Sequence, residues 1–133
     1  MKKILLVYLP FCTPASPPYS LTYLYSFLKH NCHENIKVLD LNLEFHKHKF
    51  PNYHTYYHNL NQWNNYEDIT AVYNHETEKI YAENNKKVVH GEKPELFYEL
   101  LQKIIAEKPD IVAFSIVYSS QAFYAYALLK ELK

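Results

Sequence analysis

Apolar residues run without a break from Ile4 to Leu9 in "KILLVYL" (residues 3–9), and Pro10 ends the run. So short a run predicts a strand covered on both faces. Beyond the proline-rich stretch "PFCTPASPP", Leu21, Leu24, Tyr25 and Leu28 recur at i, i+3, i+4 and i+7 and predict an amphipathic helix. Pro17 and Pro18 fit at or before its start, where a missing N–H does little harm. "IKVLDLNL" (36–43) alternates apolar and polar residues. It predicts a second strand, of edge character, with Ile36, Val38, Leu39, Leu41 and Leu43 as its apolar positions.

Residues 44–92 hold no period for long and are rich in His, Asn and Tyr. Within them Ile69, Val72, Tyr73 and Ile80 fall roughly on one side, enough for a helix, whereas "ENNKK" (83–87) reads as a solvated turn. The segment exceeds an ordinary loop and predicts an insertion with its own structure, or a lid. The pattern then returns. Pro94 opens a helix with Leu96, Phe97, Leu100, Leu101, Ile104 and Ile105 on its apolar face, and Glu95 near the N-terminus favours the dipole. "EKPD" (107–110) stops it, "IVAFSIV" (111–117) predicts a third strand, "YSS" follows as a loop, and "QAFYAYALLKELK" predicts a last helix.

This order of elements predicts an α/β fold: a Rossmann-like, flavodoxin-like parallel sheet with a large insertion after strand two. Right-handed crossovers place strand one in the middle, in the order 2-1-3. The sheet is incomplete at the C-terminus, and strand three would be an open apolar edge. The expectation is one truncated domain over residues 1–133, with 44–92 inserted in it. Either the chain is a fragment of a longer protein, the favoured reading, or a homodimer forms through that edge.

Charge excludes some partners. Basic and acidic residues number 14 each, so nothing argues for nucleic acid or an anionic membrane surface. The single glycine, Gly91, argues against a glycine-cradled phosphate, and GxGxxG and P-loop motifs are absent. "MKKILLVYLPFC" imitates a signal peptide, but its apolar run is short and Pro-Phe stands where small residues are needed for cleavage. Two cysteines, Cys12 and Cys32, form no CxxC pair, and a reduced cytoplasmic protein is the expectation. The 14 tyrosines suit a half-wet interior or an interaction surface.

In sheets of this kind ligands dock beyond the carboxyl ends of the strands, where the strand order switches. That rule brings the first and third loops together. Pro10, Cys12, Thr13, Ser16, Pro17, Pro18 and Tyr19 come from one, Ser115, Tyr118, Ser119, Ser120 and Gln121 from the other, with Asp40 and Asn42 on the flank. Neutral hydroxyls between apolar walls suit a large, amide-decorated or flat ligand better than a polyphosphate. Helix capping would use the same residues.

The stretches "ILLVYLP…PPYSLTYLYSFLKHN…IKVLDLNLEFH" and "LLQKIIAEKPDIVAFSIVYSSQ" resemble the N-terminal cobalamin-binding domain of B12-dependent radical SAM enzymes. The resemblance covers about residues 3–43 and 94–133 and leaves the insertion unexplained. It implies cobalamin on the carboxyl edge of the sheet, held base-off without a histidine ligand, since no DxHxxG motif occurs. Ser20 stands where that family commonly has glycine. The family's CxxxCxxC motif is missing, so the 4Fe-4S cluster and S-adenosylmethionine would belong to a separate C-terminal radical SAM domain. This chain alone would then have no catalytic residues.

Other features have plain readings. "HKH" (46–48) and His54 with His58 invite a metal, but no carboxylate motif accompanies them, and surface histidines are expected, with no metal site. Tyr53, Tyr56, Tyr57 and Trp63 suit a lid, a docking face or core packing of the insertion. Cys12 has no basic neighbour in sequence and reads as a small buried side chain. The competing functional reading is a non-enzymatic Rossmann-like binding or assembly module. Tyr8, Leu9 and Pro10 end strand one where a receiver domain needs acids, and the prolines remove donors that an FMN phosphate needs.

Overall fold

A computed structural model describes residues 1–14, 18–32, 34–52 and 66–133. Three parallel strands, β1 (Lys3–Tyr8), β2 (Asn35–Asp40) and β3 (Ile111–Ser115), form an open sheet in the order β2-β1-β3. Helix α1 (Tyr19–Asn31) joins β1 to β2. Helices α2 (Leu41–Lys49), α3 (Tyr66–Val89) and α4 (Phe97–Ala106) lie between β2 and β3, and α5 (Ser119–Glu131) follows β3. The class is α/β, and the sheet order is the one expected from right-handed crossovers.

The central strand is covered on both faces, as its unbroken apolar run predicts. Leu5 and Val7 enter one core with Leu41 and Phe45 of α2, Phe97, Leu100 and Ile104 of α4, and Tyr124 and Leu128 of α5. Leu6 and Tyr8 point the other way, onto Leu21 of α1 and Ile36 of β2. The α1 stripe is narrower than its spacing suggests: Leu21 is buried, Tyr25 and Leu28 pack beside it, and Leu24 is 38% exposed.

Several element boundaries differ from those the sequence predicts. β2 stops at Asp40, and Leu41–Leu43 begin α2 instead of prolonging the strand. Asp40 is the reason: its carboxylate accepts the Leu43 N–H at 2.9 Å and caps the helix. Leu41, Asn42, Phe45 and His46 then form the buried side, a helical spacing that the short L-N-L alternation conceals. β3 ends at Ser115, leaving Ile116 and Val117 in the following loop, each about half exposed. α4 starts at Phe97 rather than at Pro94, and Ile105 lies 47% exposed off its buried face.

The helix expected in the middle segment is much longer than its apolar residues indicate. α3 runs for 24 residues and includes 83–87, so "ENNKK" is helix and not a turn. Its buried stripe is largely polar: Thr70, Tyr73, Thr77, Asn84 and Val88. Val72, expected on that side, is 53% exposed. Asn84 fastens the helix to the core, accepting the Glu95 N–H at 2.6 Å and donating to Ile80 O at 2.9 Å.

Only one of the three left-handed backbone positions among the described residues is a glycine, Gly91; Leu96 and Lys108 are the others. Lys108 is exposed and follows the end of α4 at φ 48°. A side chain there strains the backbone, which glycine would relieve. Lys108→Gly is therefore expected to stabilise the fold by about 1 kcal/mol, read as a higher midpoint in urea. An unchanged or lower midpoint would contradict this account of the turn.

Candidate functional site

The two ends of the sheet are chemically unlike. At the amino edge Lys3 and Lys37 both pair with Glu107, and Asp110 accepts the Lys3 backbone N–H. At the carboxyl edge Tyr8 lies in register with Asp40 on one side and Ser115 on the other, so the three strands end level. Neutral hydroxyls gather there. Ser20 and Ser115 share a hydrogen bond of 2.8 Å, and Ser120 donates to Phe11 O at 2.6 Å.

Gln121 and Asn42 hold the loops at this edge. Gln121 is fully buried; its carboxamide oxygen accepts from Val117 N and Tyr118 N, and its nitrogen donates to Leu9 O at 2.7 Å. One side chain thus ties the end of β1 to the loop after β3. Asn42 makes a reciprocal pair with Cys12, accepting its N–H at 3.1 Å and donating to its carbonyl at 3.0 Å. Here α2 takes hold of the first loop.

Beside these fasteners opens a cleft of about 370 Å³. One wall comes from the first loop, through Phe11, Cys12 and Thr13, and from the start of α5, through Tyr118, Ser119 and Ser120. The opposite wall is α3, through Asn74, Thr77, Glu78 and Tyr81. Tyr81 stacks on Phe11 with ring centroids 4.9 Å apart and donates its hydroxyl to Cys12 O at 3.0 Å. This contact fixes the spacing of the walls.

Behind Tyr81 lies a buried histidine. His46 is fully enclosed, with Nδ1 2.5 Å from the Tyr73 hydroxyl and Nε2 within 2.6 Å of the Tyr81 hydroxyl and 3.0 Å of Cys12 O. A neutral ring protonated on Nε2 fits this set, donating to Cys12 O and accepting at Nδ1 from Tyr73. Burial pushes its pKa from 6.5 down to about 4, against the opposing pull of the Cys12 carbonyl. The reading of "HKH" as surface histidines is thus corrected for His46, whereas His48 is exposed.

Burial also shifts Cys12, Tyr8 and Asp40. Burial raises the Cys12 thiol pKa, and the thiol donates to the Tyr8 hydroxyl at 3.3 Å. The Tyr8 phenol is pushed up by burial and by Cys12. Neither group is a nucleophile prepared near neutral pH. Burial also raises the Asp40 pKa, against the backbone N–H groups of Leu43 and Asn42 that favour the carboxylate. Among the described residues no group of three or more His, Cys, Asp or Glu side chains could hold a metal ion.

The residues singled out from the sequence therefore separate into three sets. Cys12, Thr13, Tyr118, Ser119 and Ser120 line the cleft together. Asp40, Asn42, Ser115 and Gln121 cap or fasten instead of lining it. Pro10 is buried, Pro18 caps the start of α1, and Tyr19 is 72% exposed on that helix. Ser16 and Pro17 lie outside the described residues, as do Tyr53, His54, Tyr56, Tyr57, His58 and Trp63. Sequence reasoning missed Phe11, His46 and the whole α3 wall. The i, i+3, i+4, i+7 spacing of Asn74, Thr77, Glu78 and Tyr81 was present, but a polar stripe reads as solvated until something is packed against it.

No helix among the described residues is long and apolar enough to cross a membrane. Comparison of the chain with protein-family models, with curated proteins and with solved structures finds no match.

Proposed function

We propose that the chain is a Rossmann-like cobalamin-binding domain of the kind found at the N-terminus of B12-dependent radical SAM enzymes, with its ligand at the carboxyl edge of the sheet. One observation carries the reading. Phe11–Thr13 after β1 and Tyr118–Ser120 at the start of α5, distant in sequence, together line one cleft at the switch between β1 and β3. Residues 44–92 are, in this reading, an insertion that adds α3 to the domain.

The donor set fits the group in chemistry. Thr13, Ser119 and Tyr118 offer neutral hydroxyls that can pair with corrin amide arms, and the Phe11–Tyr81 stack offers an apolar floor. Size limits the fit. A cleft of about 370 Å³ is at the low end for drug-sized ligands, roughly 300–1,000 Å³, and cobalamin is several times larger. The cleft would take an arm and an edge of the molecule, with the rest outside it. Bound cobalamin supplies a cobalt centre for group transfer; this chain's residues bind and orient it, while the iron–sulfur cluster and S-adenosylmethionine belong to a partner domain.

The same small volume favours a second reading, a binding module for a smaller neutral ligand without a corrin. Gel filtration after mixing with hydroxocobalamin separates the two. The cobalamin reading expects corrin absorbance to co-elute with the protein near one equivalent. A protein folded by circular dichroism that carries no corrin absorbance would favour the second reading.

A further inference from the structure

We propose that the outer edge of β3 is a self-recognition surface, on which a second copy of this chain docks its own β3 antiparallel. The inference is independent of what the cleft binds.

The two edges of the sheet are built differently. β2, at one edge, carries Lys37 in mid-strand and passes at Asp40 directly into α2. Charge of this kind keeps an edge from pairing with other chains. β3 and the residues after it, "IVAFSIV" (111–117), hold no charge, proline or glycine. Such a strand is a template for another strand. Among the described residues β3 pairs with β1 alone, and its other side is the open end of the sheet.

The backbone fixes the geometry of the occupant. Asp110 N–H donates to Lys3 O, toward β1. Alternation along the strand then turns the backbone groups of Val112 and Phe114 toward β1, and those of Ile111, Ala113 and Ser115 outward. The outward set is symmetric about Ala113. With Ala113 opposite its own copy, Ile111 faces Ser115 of the second copy, and every outward N–H meets a carbonyl. No charge opposes itself in this register, and the chain's zero net charge adds no long-range repulsion.

Apolar side chains border the strand. Ile105, Ile116, Val117, Tyr118 and Leu129 are each about half exposed, and Ile111 is 44% exposed. They offer on the order of 500 Å² beside the strand backbone, against about 800 Å² per partner in a standard interface. Ile105, Val112 and Leu129 also line a groove of about 460 Å³ next to β3, open to side chains of the second copy.

Light scattering coupled to gel filtration, on the whole chain at roughly 100 μM and below, tests the proposal. Wild type is expected at twice the chain mass, and Ile111→Lys should weaken the dimer about tenfold or more. Val38→Lys is the control, because Val38 is equally exposed, at 44%, on the opposite edge strand; it should leave the dimer intact. Ala113→Cys reads the register without adding charge. Opposed α-carbons lie about 5.5 Å apart in such a pair, within disulfide reach, so oxidation should yield a dimer band on a non-reducing gel. Wild type with Cys12 and Cys32 alone, oxidised alike, is the reference. Equal effects of the two lysine variants, or no cross-link beyond that reference, overturn the proposal. A wild type that circular dichroism shows to be folded but that stays monomeric overturns it too, and leaves the edge to a strand of another protein. None of these outcomes bears on corrin binding.

Discussion

His46→Ala is expected to lose roughly 3 kcal/mol of stability at neutral pH and to flatten the acid dependence of the fold. The imidazole is fully enclosed and links three elements: α2 that carries it, α3 through Tyr73 and Tyr81, and the first loop through Cys12 O. Truncation removes those bonds and opens a cavity behind the cleft wall. The pH effect has a definite sign. Folded His46 resists protonation until about pH 4, whereas the unfolded chain takes the proton near 6.5. Between those values the unfolded state binds more protons, so stability falls with decreasing pH, by about 3 kcal/mol over the whole window. Urea unfolding at pH 7, 6 and 5 measures it, and the alanine variant, which keeps every carboxylate, separates the His46 part from theirs. Wild type should lose stability along that series, and the alanine variant should lose much less. Parallel curves for the two proteins would contradict a buried neutral His46.

Gln121→Ala should destabilise the fold to a similar degree, about 3 kcal/mol, with a loss of roughly 10 °C in melting temperature. The side chain satisfies the buried carbonyl of Leu9 and the N–H groups of Val117 and Tyr118 at once. Water can replace it at the exposed loop, but not at Leu9, which is fully buried. Because this residue ties the two loops of the cleft, the cobalamin-binding proposal expects the same variant to lose most corrin binding at temperatures where it remains folded. A stable variant with wild-type affinity would show that the loops are held together by other contacts, such as the Ser120 bond to Phe11 O.

Both residues illustrate what the sequence conceals. Gln121 was expected at the site and is at its edge, where its role is structural. His46 was expected at the surface because it sits between lysine and glutamate-bearing turns of a polar segment, yet Leu41 and Phe45 on the same helix side carry it into the core. The signal was available: Asp40 as a helix cap followed by Leu41 and Phe45 at i, i+4 spacing. It was masked by a two-residue alternation that strands and short helices share.

The sequence by itself determined the strands, most of the helices and their order. Leu5, Leu6 and Val7 give a doubly covered central strand, and Phe97, Leu100, Leu101 and Ile104 give a helix with one buried face. These follow from periodicity, because whether a residue is apolar and how it is spaced are properties of the local chain. The topology rule then brought the first and third loops to one edge. Only the tertiary structure decided which polar residues are enclosed and what faces that edge. Asn42, His46, Asn84 and Gln121 are buried because each meets a partner supplied by the fold, for His46 and Cys12 a partner 34 residues away. No local pattern announces such a partner: a polar side chain enters a core only once its hydrogen bonds are met there. For the same reason α3, a largely polar helix, became a wall of the cleft, and Phe11, Cys12 and Thr13 became part of the opposite wall.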